Sequence, residues 1–137
     1  MSAQALAQFE AVTQQAVALN ERYVALDQQM QSLQARGQAS QDVAEVRAIA
    51  EQLYALHDQF VEVWNQAEAL GAQADALEQE VTDYLASVRE RFDTANGDPV
   101  MYADTAADDV MESAQDFEGW ADEQDAEAAG RFSRAYA

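Results

Sequence analysis

Beginning at Ala5, apolar residues recur at Ala5, Phe9, Val12, Ala16, Leu19, Tyr23, Leu26, Met30 and Leu33, in alternating steps of four and three. That period puts them all on one stripe of an α-helix, whereas in a strand they would scatter over both faces. The alternation resumes after "RGQAS" (36–40) as Val46, Ile49, Leu53, Leu56, Phe60, Val63, Ala67, Leu70, Ala74, Leu77, Val81, Tyr84 and Val88. Gly37 suits a helix C-terminal cap and Ser40 an N-cap for the next helix. With one proline and five glycines in 137 residues, little else interrupts the pattern. The spacing predicts an all-α fold with coiled-coil-like heptads, a first helix over about 2–36 and a second over about 41–95. Gly71 stays in phase, so it weakens the second helix by about 1 kcal/mol without ending it. "NGDP" at 96–99 reads as a stop, with Pro99 opening a third helix.

Two stripes joined by a short turn are expected to dock as a long antiparallel helical hairpin over 1–95, followed by an acidic C-terminal helical segment over 96–137. In an antiparallel pair the facing residue numbers share one sum, and Leu33 with Val46, Leu26 with Leu53, Tyr23 with Leu56 and Phe9 with Leu70 all sum to 79. Half of that sum falls between Ala39 and Ser40, inside the predicted turn. Beyond Ala74 the first helix has run out. A weaker seam at Ala107, Val110, Ala114, Phe117 and Ala121 is then expected to fold back over the uncovered end of the second helix.

A second apolar stripe lies off this seam. Tyr54, Val61 and Trp64 fall on the outer face of the second helix, with His57 among them and Leu85 and Phe92 continuing the row; Leu6, Val17 and Val24 do the same on the first helix. Two helices meeting along one seam cannot hide these residues, and exposed patches of that kind mark contacts with other chains. The ending "GRFSRAYA" adds Phe132 and Tyr136, four apart like a helical anchor.

Charge excludes several functions. Against 26 acids there are 7 basic residues, all arginine, for a net charge of −19. Phosphate binding needs cationic side chains, so direct nucleic-acid binding is not expected, nor is attachment to an anionic membrane. One histidine and no cysteine leave no catalytic triad, no disulfide and no thiolate site, so the chain reads as non-enzymatic, without cofactor, metal or small-molecule substrate. The start "MSAQALAQFE" lacks a basic stretch followed by an apolar run, and no window nears the ~20 apolar residues of a membrane span. A soluble intracellular or virion-associated protein is expected.

Residues 93–127 hold 12 acids and no basic residue. Within them Asp104, Asp108, Asp109, Glu112, Asp116, Glu118, Asp122, Glu123, Asp125 and Glu127 form a candidate acidic surface. Drawn out as helix, the stretch carries one charge per roughly 4 Å. Duplex DNA carries one per about 1.7 Å. A single chain therefore falls short of imitating DNA, although short, acidic, helical viral proteins that do so are similar in composition. The leading expectation is a helical structural or assembly protein acting through heptad packing in a homo-oligomer or larger particle, a virion component among the options. The alternative is an acidic decoy or chaperone that occupies a basic surface of a partner protein.

Overall fold

The computed structural model describes residues 3–80 and 86–135, and only the backbone at 98–100 and 132–135. Within them the chain forms three helices: α1 (Ala3–Ala39), α2 (Val43–Gln79) and α3 (Ala86–Ala135). At 37, 37 and 50 residues they are roughly 55, 55 and 75 Å long. Both predicted seams lie inward where they are described, Val81 and Tyr84 falling outside the described residues. Phe9, Val12, Ala16, Leu19, Leu26, Met30 and Leu33 of α1, and Val46, Ile49, Leu53, Leu56, Phe60, Val63, Ala67, Leu70 and Ala74 of α2, are all buried.

The hairpin is present, but its register differs from the constant sum of 79. Tyr23 packs edge-on against Phe60, ring centroids 5.8 Å apart, one turn beyond the expected Leu56, and Arg22 reaches Glu62 at 3.2 Å. The physical reason is the turn. α1 runs on to Ala39 and α2 starts at Val43, so the reversal is centred later than the sum assumed. Capping differs to match: Asp42, not Ser40, is the N-cap, its side chain accepting from the Ala44 amide at 3.1 Å. Ser40 instead accepts from the Asp42 amide and donates to Glu45.

The second reversal departs further. α2 ends at Gln79 and Glu80 caps it, its amide donating to the Leu77 carbonyl at 3.1 Å. The second helix therefore does not run to Ala95 as the spacing predicted. From Ala86 the chain returns along the hairpin, and Val88 and Phe92 enter the core, the Phe92 ring meeting Phe9 edge-on at 6.2 Å. A continuous helix would have left both without cover. Arg89 fastens this elbow: it bonds Asp75 and Glu78 of α2 at 2.7 Å each and Asp93 at 2.9 Å, and lies over the Phe92 ring.

"NGDP" is not a stop. α3 crosses it as helix, so the boundary expected at 96 is absent. Asn96 is 6% exposed and donates from its side-chain amide to the Ala67 carbonyl of α2 at 2.9 Å. Val88, Phe92, Asn96, Ala103, Ala107, Val110, Ala114 and Ala121 lie along one buried face, the same three-and-four period carried through the apparent break. Burial of that face on both sides outweighs the helix-breaking tendency of Gly97 and Pro99. α3 runs antiparallel to α2 and parallel to α1, with Phe92 beside Phe9 at one end and Phe117 beside Gly37 at the other. The bundle is thus up, down, up.

Gly37 has no positive φ and is not a left-handed cap. It lies buried in the last turn of α1, where a Cβ would meet the Phe117 ring. At Gly71 a Cβ would find only the Asn96 amide nitrogen, at an ordinary 3.8 Å. The two glycines should therefore respond oppositely to alanine. Gly37→Ala is expected to lose about 1–3 kcal/mol by overpacking, and Gly71→Ala to gain about 0.5–1 kcal/mol from helix propensity. Melting midpoints check both signs, and a Gly37→Ala/Phe117→Ala double variant should lose less than the sum of the singles.

Asn96 gives a second expectation. Its Oδ1 is buried without a hydrogen-bond partner, so the residue is only half satisfied. Asn96→Leu should match or exceed the natural chain in denaturant midpoint, because an apolar group of similar size removes the unmet acceptor. Asn96→Asp should be destabilised and recover as pH falls. A leucine variant weakened by more than about 1 kcal/mol would show that the bond to Ala67 outweighs that acceptor.

Candidate functional site

The second apolar stripe is largely covered by the chain itself. Leu6, Tyr54, Val61 and Trp64 are half-buried and pack against the core. Phe92, expected on the outer row, is 1% exposed and belongs to the chain's own interior, because the reversal before Ala86 turns it inward. The Tyr54 phenol faces Glu118 of α3, whose carboxylate holds its proton more tightly. His57 is half-buried with Nδ1 3.2 Å from Asp58. Val17 and Val24 stay open, 40% and 46% exposed. Leu85, Tyr136 and the Phe132 side chain lie outside the described residues.

Of the acidic surface, Glu118 is half-buried and Asp104, Asp108, Asp109, Glu112, Asp116, Asp122, Glu123, Asp125 and Glu127 are exposed. The acids of α3 fall into two electrostatic groups. Near one end Asp122 and Asp125 are answered across helices by Arg47 of α2, at 2.9 and 2.6 Å, and near the other Arg89 holds Asp93 within α3 itself. Bonds to Asp122 and Asp125 raise the Arg47 pKa above its ordinary value. For Arg89, partial burial opposes the charge, but bonds to Asp75 and Asp93 outweigh it and the net shift is upward. In the middle of α3, among the described residues, Asp108, Asp109 and Glu112 form no ion pair.

These three acids line an open groove of about 440 Å³ between α1 and α3. Its α1 wall carries Tyr23, Asp27 and Met30; its α3 wall carries Tyr102, Thr105, Ala106, Asp108, Asp109 and Glu112. Tyr102 and its neighbour Met101 are 49% and 58% exposed, more open than either valine of α1. The sequence reading picked out the acids but neither of these. They stand just past "NGDP", where the expected helix start hid their phase.

Among the described residues no group of three or more His, Asp or Glu side chains is arranged to hold a metal ion. No described helix is long and apolar enough to cross a membrane. No protein-family model, curated protein or solved structure matches the chain.

The proximity of Tyr54 to Glu118 has a pH consequence. Glu118, helped by burial, raises the Tyr54 pKa above 10.0. A phenol whose folded pKa is raised adds stability that is fully present below the unfolded value near 10 and is lost as pH climbs through the folded value. Alkaline unfolding should therefore move to lower pH in Tyr54→Phe, and Glu118→Gln should return the Tyr54 titration, followed by ultraviolet absorbance, toward 10.0. An unchanged Tyr54 titration in Glu118→Gln would remove Glu118 as the cause.

Proposed function

We propose that the chain is a non-enzymatic helical protein that acts by binding other proteins, as a homo-oligomer or as a subunit of a larger particle. One observation carries this reading. The large apolar residues left exposed among the described ones, Val17, Val24, Met101 and Tyr102, all lie on α1 and α3 and none on α2. Apolar surface gathered on two adjacent helices favours a protein contact there. The contact surface is smaller than the sequence implied, since most of the outer stripe is used inside the bundle. An assembly should scatter light as a multiple of 15.1 kDa at moderate salt, and a single-chain mass would sink the homo-oligomeric form of the proposal.

A second reading, that the chain occupies a basic surface of a partner, is favoured by the unanswered carboxylates of the α1/α3 groove. The two readings differ in what salt and neutralisation do. At −19 the chain repels itself; salt near ~1 M, with a screening length of about 3 Å, should raise its melting temperature. Replacing Asp108, Glu112 and Asp116 together by Asn, Gln and Asn should raise low-salt stability and leave any homo-oligomer intact. Loss of activity with unchanged oligomer and melting would instead make the carboxylates the functional surface.

A further inference from the structure

We propose that the groove between α1 and α3 is a docking site for a cationic amphipathic helix of a partner protein. This rests on the reading of the chain as one that occupies a basic surface, and it names the place and the form of the ligand. The walls are two parallel helices, Tyr23 to Met30 on one side and Tyr102 to Glu112 on the other. They offer the seam that a fourth helix fills in a bundle. Tyr102 and the half-buried Tyr23 give the groove its open apolar lining, over a floor of Met30 and Ala106 that the bundle already buries. Tyr102 is half exposed although the bundle buries smaller residues of α3, Ala103 beside it and Ala106 and Ala107 about a turn on.

Charge selects the occupant. Asp27 stands on the α1 wall and Asp108, Asp109 and Glu112 on the α3 wall, so carboxylates line both sides, and the groove contains no basic side chain. Elsewhere the chain spends its own arginines on its acids, with Arg47 on Asp122 and Asp125 and Arg89 on Asp75, Glu78 and Asp93. Here it does not. An incoming helix with an apolar stripe toward Tyr102 and Tyr23 and Arg or Lys on both flanks would bury the first and pair the second, and an arginine could also stack on a tyrosine face. A second copy is a poorer fit, since it brings another −19 and repels at long range.

The test uses the full chain and a fluorescent helical peptide of about 18 residues, leucine on one stripe and arginine on both flanks, at ~0.15 M salt, with oligoarginine of equal charge as control. The amphipathic peptide is expected to bind, and more tightly than oligoarginine. Tyr102→Ala and Asp108→Asn/Asp109→Asn should each weaken it roughly tenfold, while Glu123→Gln/Glu127→Gln, the same charge change at exposed positions outside the groove, should alter it less than about twofold. Circular dichroism melts identify any variant that fails to fold, and Tyr102→Phe, which keeps the ring, should bind like the natural chain. If oligoarginine binds as well as the peptide and both ignore the groove variants, the groove is refuted while the wider reading of an acidic binder stands. If neither binds, both fall. Self-association of the natural chain that Tyr102→Ala abolishes would give the groove to a second copy and overturn the cationic partner.

Discussion

The bundle depends on how closely α3 can approach the hairpin. Its buried face is mostly alanine, with Ala103, Ala106, Ala107, Ala114 and Ala121 around Val110. Small side chains let a backbone come near, and the hairpin supplies the bulk, with Phe9, Ile49, Leu53, Leu56 and Phe60 almost fully enclosed. Gly37 is the same device in reverse, a place where α1 yields room to a large residue of α3, Phe117. An alanine-rich chain buries little area per residue. Three helices sharing one interior compensate for that where two could not, which is why the outer stripe of α2 had to be covered from within.

How much of this was legible follows the range of each signal. The heptad steps placed nearly every buried residue of α1 and α2 correctly, because periodicity reports the inward face directly. Chain reversals were less visible. Residues 80–85, "EVTDYL", contain neither glycine nor proline, and the apolar phase runs through them undisturbed. At 96–99 the opposite occurred: strong local punctuation was overruled by burial of Asn96 and the alanine face beyond it. Carrying the phase from Val88 and Phe92 through Asn96 to Ala103 would have revealed one helix. The acids were plain in the sequence, but not which of them the chain's own arginines answer. Arg47 meets Asp122 and Asp125 across more than seventy residues, and the α1/α3 groove joins segments equally remote.

Charge is therefore organised and not merely abundant. Arg22, Arg47 and Arg89 each bridge one helix to another, and Arg89 takes three carboxylates at the elbow where α2 and α3 meet. Arginine suits this work better than lysine, since its fork can address two carboxylates at once. Exposed pairs of this kind add little to stability singly. What they do is fix the relative level of antiparallel helices whose repeating seams would otherwise allow slippage by a turn.

Pro99 has a consequence for motion. It has no amide hydrogen, so the Ala95 carbonyl lacks its partner one turn later, beside an Asn96 whose own oxygen is unmatched. One helical bond fewer beside an unmatched side-chain oxygen weakens α3 at this level. The stretch before it is tied to the elbow by Arg89 and the stretch after it to the start of α2 by Arg47. Amide exchange along α3 should accordingly divide into two cooperative blocks that open separately, with the boundary inside an unbroken helix and not at its ends.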